Sequence, residues 1–571
     1  MTAYTSIFNT PPSGTNFLID DTVTLVDGDV WKYAGNGQWI PDSSDVVRFK
    51  VDPATGSITK YANGSIVPEW DEVFVLGGQS NADGRGVVDS TAAKPSPNVL
   101  MLDKGENIKT ADEPLGEQVT GWINNVPGGV TPGIPAHSFG VAMGKSVAQL
   151  TGITPILVPC AIGSTYMQMW EIPSSPLDMT TLFGAMNSRA KSVMKNGRSP
   201  VFCWSGHESN MSEVTEVLST GKQNFIYYGR QVNQFEDIRR YYPGAPVIYA
   251  QLSTTNDAPY ATSSRKAAEQ QRLMESDGSG DAPTLLSGTL AVTALGANAT
   301  NTVTLNGQTV TMVGDGSVIL GFSITTPALT AGHVYAARMA VSGTGKFKIT
   351  DQSGNDFQSD NGPYTERDYV FLAAGTSFRI YRNTAGQATN LVFTISGIYE
   401  MTTFQKPNNY MVVAHDLPRN AGSDNQHLST EGNKELGRRF ALAYAQRVLE
   451  LPGVDGTGPR LVSVTSTDAT HTKVKFTQSL AAAKAGETNY GDGTNSLFRV
   501  YDAGTEKTVS SVAIDGADGT ALIITHASCS GVRVVTYGDR AGQDASWRKG
   551  VVYNTLPLPL PAPMFGPVVS V

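Results

Sequence analysis

At 571 residues the chain is too long for one hydrophobic core, and three or four domains are expected. A net charge of −9 leaves no basic stripe to neutralise phosphates, which argues against a nucleic-acid partner, and no apolar run approaches the roughly 18 residues of a membrane-spanning helix. The composition, 40% hydrophobic and 16% charged with 59 glycines, is that of a soluble protein rich in strands and turns, and three cysteines (Cys160, Cys203, Cys529) are too few for a disulfide framework.

Residues 1–70 carry short alternating segments, Thr22–Val26 and Val30–Tyr33, separated by turn signals at Asp27-Gly28, Gly35-Asn36-Gly37 and Asn63-Gly64. They predict a small β-rich region of hairpins. The first residues show neither a basic nor an apolar leader region, so no signal peptide is expected. From 71 the pattern changes. Strands are predicted at 73–77, 155–160, 200–204, 246–251 and 409–414, and helices near 138–150, 182–195, 222–240, 262–275 and 430–449. This alternation predicts a doubly wound α/β sheet with mainly parallel strands. Ser429 or Thr430 caps the last helix, and Leu436, Phe440, Ala443, Tyr444 and Val448 recur on one of its faces.

Between 279 and 403 the helical periodicity disappears and only β-type segments remain, such as Thr302–Leu305 and Lys346–Ile349. A β-sandwich inserted into the α/β domain is expected, with either a glycan-contacting role or a purely architectural or oligomer-forming one. A linker at Pro452–Gly458 leads into a second β-module, and the alternating prolines of Asn554–Pro563 predict extended chain laid across another domain. The expected division is therefore 1–70 (N-terminal β-region), 71–278 and 404–452 (the two parts of the α/β domain), 279–403 (inserted sandwich) and 453–571 (C-terminal module).

Two short segments carry the chemistry. Val73–Leu76 is an apolar run that stops on Gly77-Gly78-Gln79-Ser80-Asn81, which presents a serine at the tip of a buried strand. Asp424-Asn425-Gln426-His427 supplies a carboxylate and an imidazole three residues apart, just ahead of the capped helix. Together they are a nucleophile (Ser80), a general base (His427) and an orienting acid (Asp424). His415-Asp416 is the nearest competing pair, but its members are adjacent and follow the strand too early. The histidines are scattered, so no metal site is expected, and no phosphate-binding loop is present. No pair of carboxylates suits glycosidase chemistry.

These blocks resemble the SGNH hydrolases, and most closely the sialate O-acetylesterase and acetylxylan esterase branch, whose nucleophile sits in Gly-Gln-Ser-Asn. The resemblance covers roughly 71–278 and 404–452. It implies a three-layer, flavodoxin-like α/β sheet, here with an inserted β-sandwich and flanking β-modules. It implies a carbohydrate O-acetylesterase that needs no cofactor and takes an acetylated polysaccharide as substrate. Cys160–Trp170 resembles the block in which a Gly-Gly pair precedes a tryptophan. That likeness makes Gly163 a backbone oxyanion donor beside Ser80 and makes Trp170 a substrate contact. Trp204–Asn210 departs from the family's third block. Trp204, Glu208 and Ser209 align, but Gly206-His207 and Asn210 replace other residues. The third oxyanion donor is therefore His207 or Asn210, and Glu208 is a loop brace or a substrate contact. The N-terminal wording resembles phage tail-fibre and tailspike proteins. That likeness implies a homotrimer on a virion, acting on host O-antigen or capsule. The alternatives are a secreted bacterial sialate or xylan acetylesterase, and a receptor-binding fibre with a catalytically weak hydrolase scaffold.

Overall fold

The computed structural model describes the backbone of seven short strands within residues 1–69. From 70 to 571 it describes all residues except 88–97, 104, 114, 116–135, 174–175, 195–197, 253–257, 278–282, 351–355, 362–363, 383–387, 421–425, 482–496, 539–550 and 557–558. The seven N-terminal strands pair in chain order as one sheet.

The α/β region is built on a sheet of β1 (Glu72–Gly78), β2 (Leu100–Leu102), β3 (Ile108–Thr110), β4 (Pro155–Ala161), β5 (Val201–Ser205), β6 (Val247–Ala250) and β7 (Asn409–Val412). Their spatial order is β3-β2-β4-β1-β5-β6-β7. Only β3 runs antiparallel to its neighbour. β1 and β4–β7 coincide with the predicted strands. β2 and β3 lie outside them, being three residues each and too short for alternation to register.

Around the sheet lie α1 (Ser80–Asp83), α2 (Gly140–Thr151), α3 (Leu182–Val193), α4 (Ile226–Tyr241), α5 (Ala258–Leu273) and α6 (Thr430–Ala443). α4 starts later than its pattern suggests, because Lys222–Gln223 instead pairs with Glu216–Val217 as a short hairpin. Alternate residues of each strand feed opposite layers, as strand geometry requires. Val73 and Val75 join Phe183, Val232 and Phe235 on one face, while Phe74 and Leu76 join Phe139, Met143, Leu436 and Phe440 on the other. The result is the expected three-layer α/β sheet. β1 lies at its centre, with β2, β3 and β4 built on one side and β5–β7 on the other. The C-terminal end of β1 is thus the switch point at which open α/β sheets bind ligands.

The strands from Thr284–Leu285 to Thr389–Glu400 form two packed sheets around Phe322, Phe347, Phe371 and Phe393. Arg367 of this sandwich fastens it to the α/β region through Asp237 at 2.7 Å and Glu171 at 3.1 Å. Among the described residues, the C-terminal module comprises two four-stranded sheets and a two-stranded one. Its tail crosses the α/β region: Gln251 exchanges two hydrogen bonds with the backbone of Met564, at 2.9 and 3.0 Å.

Candidate active site

The chain cannot run straight past the end of β1. Gly77 lies beneath the Trp204 ring, where a Cβ would come within 2.3 Å of Cζ3. Gly78 has φ +128°, and a Cβ there would meet Ser205 O at 1.9 Å. Only glycine fits either position. The strand therefore packs tightly against β5 and then turns sharply into α1, leaving Ser80 partly exposed on the rim. Its neighbours face inward. Gln79 Oε1 accepts the N–H of His207 at 3.2 Å, Asn81 Nδ2 donates to Glu208 Oε1 at 2.7 Å, and Asn81 Oδ1 accepts the N–H of Leu428 at 3.1 Å. Asn81 thus ties the first block to the third and to the last. Its bracing role is invisible in the sequence, where it reads only as a turn residue.

The Leu428 bond positions the preceding residue. His427 Nε2 stands 2.9 Å from Ser80 Oγ, so an imidazole protonated on Nδ1 accepts the serine hydroxyl. The chain on both sides of 421–425 is pinned. Asn420 N donates to His427 O at 3.0 Å, Arg419 Nη1 donates to Gln426 O at 2.9 Å, and Asn420 Nδ2 donates to Arg85 O at 2.8 Å. Asp424 falls within 421–425 and lies outside the described residues. The Ser429 hydroxyl caps α6 by accepting the Gly432 N–H at 3.2 Å.

Gly163 lies beside Ser80, and a Cβ on it would be 3.6 Å from Ser80 Cβ. Among the described residues no acceptor takes the N–H of Ser80 or of Gly163, so both remain available to a developing oxyanion. The Gly163 loop is held from within: Thr165 Oγ1 donates to Ile162 O at 2.9 Å and accepts the Trp170 indole N–H at 3.1 Å.

Three expectations change here. Trp170 is 1% exposed and packs edge-on against Trp204 at 4.9 Å, so it braces the loop and offers no face to a substrate. The exposed aromatic of that loop is Tyr166, at 46%. Asn210 is spent on structure. Its amide donates to Gln168 at 3.0 Å and to Glu213 at 2.9 Å, and its oxygen accepts the Met167 N–H at 2.9 Å. The His207 ring stacks on Trp204 at 5.4 Å, near Phe235 and Tyr227, and is 3% exposed. Burial lowers its pKa to about 3 and keeps it neutral, but a ring sealed in the aromatic core has no path to a substrate oxygen. Glu208 is the brace of Asn81. The pattern of residue types could not separate these roles, because it records which groups can donate and not which are already engaged.

Among the described residues no cluster of three or more His, Cys, Asp or Glu is placed to hold a metal ion, and no helix is long and apolar enough to cross a membrane.

Residues 71–280 match the family model described as carbohydrate esterase, sialic acid-specific acetylesterase. That stretch is a carbohydrate esterase domain. No curated protein matches the chain. Among solved structures, a protein from Arabidopsis thaliana is similar at 17% identity, over 66% of this chain and 99% of that one, with a TM-score of 0.34. A carbohydrate acetylesterase from Xanthomonas citri is similar at 12% identity, over 94% of this chain and 90% of that one, with a TM-score of 0.46. A family 29 carbohydrate binding module complexed with mannohexaose is similar at 9% identity, over 21% of this chain and 90% of that one, with a TM-score of 0.16. None of the three is close enough to speak to activity.

Proposed function

We propose that the protein is a serine carbohydrate O-acetylesterase that removes acetyl groups from a polysaccharide. One observation carries the reading: Ser80 Oγ and His427 Nε2 meet at 2.9 Å although 347 positions separate them in the chain. His427 takes the Ser80 proton as Oγ bonds to the acetyl carbon, and the carbonyl π pair moves onto oxygen. The N–H groups of Ser80 and Gly163 receive that charge, each contributing about 3–4 kcal/mol to the transition state. The tetrahedral species collapses, the C–O bond to the sugar breaks, and His427 returns the proton to the leaving hydroxyl. Water then cleaves the acyl-enzyme by the same route. Asp424 is the acid that orients His427, and Tyr166 is the exposed ring available to a sugar face.

In this reading the substrate is an O-acetylated host-surface glycan, and the protein works as a homotrimer on a phage tail. The N-terminal wording and the β-modules support that setting. The experiment has two parts. Release of p-nitrophenol from p-nitrophenyl acetate should fall at least roughly 1000-fold in Ser80→Ala. NMR of purified acetylated polysaccharide should lose its acetyl signals on treatment. Equal rates for wild type and Ser80→Ala would reject the nucleophile, and unchanged spectra would reject the glycan. A sedimentation mass of one or two chains would reject the trimer.

A further inference from the structure

Asn210 is engaged by Gln168, Glu213 and Met167, and His207 is sealed in the aromatic core, so neither third-block candidate reaches the oxyanion. A different residue stands at the oxyanion glycine. Arg85 Nη1 donates to Asp83 Oδ2 and to Gly84 O, both at 2.7 Å, and these two bonds fix the guanidinium plane. Its Nη2 then lies 2.7 Å from the point at which a Cβ on Gly163 would begin, while Ser80 Cβ is 3.6 Å from that same point. Gly163 is thus a glycine for space and not for backbone conformation: its side-chain volume is filled by a cation. The Arg85 backbone is also held, since its carbonyl accepts from Asn420 in the chain leading to His427. Among the described residues no acceptor engages Nη2. The side chain is 15% exposed, dry enough to strengthen its field and open enough for an ester to reach it.

We propose that Arg85 is the third oxyanion donor, its Nη2 donating to the acyl oxygen as the Ser80 adduct forms. This inference rests on the acyl-enzyme reading above. No bond to Arg85 forms or breaks. Its anchored fork places a positive charge where the carbonyl oxygen becomes negative, and anchorage on Asp83 means that little reorganisation is needed during the reaction. Its position over Gly163 and beside Ser80 puts it at the acyl group, not further out along the sugar, where a group reading a charged substrate would stand.

The test uses the full chain and p-nitrophenyl acetate, a neutral ester. Arg85→Met should lower kcat roughly 100- to 1000-fold with KM changed less than about threefold. Millimolar guanidinium chloride should restore part of the rate of Arg85→Ala, which a merely structural role would not allow. If Arg85→Met does not fold, Arg85→Gln carries the same expectation. Wild-type kcat in a folded Arg85→Met, or a defect confined to KM for carboxylate-bearing esters, would overturn the proposal. Ser80→Ala measured alongside separates the two claims. An inactive Ser80→Ala with a fully active Arg85→Met sinks only the role of Arg85, whereas an active Ser80→Ala sinks the acyl-enzyme itself.

Discussion

Two histidines follow β7 on the way to α6, and they have opposite fates. His415 and its neighbour Asp416 are buried. The imidazole bonds to Ala562 O at 2.8 Å, and Asp416 pairs with Arg439 and accepts the Tyr553 hydroxyl at 2.9 Å. Burial would raise the Asp416 carboxyl, but the Arg439 guanidinium outweighs it and holds the group at about 2. That corner locks the C-terminal module to the esterase domain. His427 is partly exposed and spends its Nε2 on Ser80. A histidine near an aspartate is therefore not a catalytic signal in itself. What decides is whether its polar atoms are consumed by the fold or left facing a partly exposed hydroxyl, as His427 faces Ser80.

The largest effect that would break this contrast is on activity. His427→Ala, like Ser80→Ala, should cost at least roughly 1000-fold in kcat, about 4 kcal/mol, with melting temperature little changed. Asp416→Ala should do the reverse. It removes one of the two carboxylates that hold the buried Arg439, leaving only Glu435 at 2.9 Å, and should destabilise by about 3 kcal/mol in urea unfolding, while kcat per folded molecule stays at the wild-type value. Loss of activity in a stable Asp416→Ala would make the buried pair the catalytic one.

A buried carboxylate sharpens the comparison through pH. Burial pushes Glu113 up to about 7, although it accepts the N–H groups of Leu115 at 3.0 Å and Ser138 at 3.2 Å. Its folded pKa lies above its unfolded one, so the folded state holds a proton that the unfolded chain has already released. The fold therefore loses stability as pH rises from about 4 towards 8. The stability of Glu113→Gln relative to wild type should shift in the variant's favour by about 3 kcal/mol across that range, measured by urea midpoints. The smallest effect concerns Trp170. Trp170→Phe removes the indole bond to Thr165 and should cost about 1 kcal/mol of stability with KM unchanged. A raised KM at full stability would return Trp170 to the substrate.

The architecture was legible because it rests on periodicity. The long strands and helices around β1 and α6 announce themselves through buried faces, and the absence of helical spacing between 279 and 403 marks the sandwich. β2 and β3 escaped for want of length. Within the site, Ser80 and His427 could be read because a serine behind paired glycines and a histidine before a capped helix are local patterns. Arg85 and Asn81 could not. Asn81 bonds to Glu208 and Leu428, and Arg85 lies against Gly163, neighbours fixed only when β1, β4 and β5 lie side by side. The third block misled for the same reason: Asn210 and His207 are competent donors whose hydrogens or access are taken by neighbours distant in sequence.

The most direct test of the central claim is covalent. A fluorophosphonate probe reports an activated serine, and peptide mass spectrometry locates it. One adduct per chain is expected, on the peptide bearing Ser80, and it should be lost in His427→Ala. Labelling at another serine, or unchanged labelling of Ser80 without His427, would contradict it.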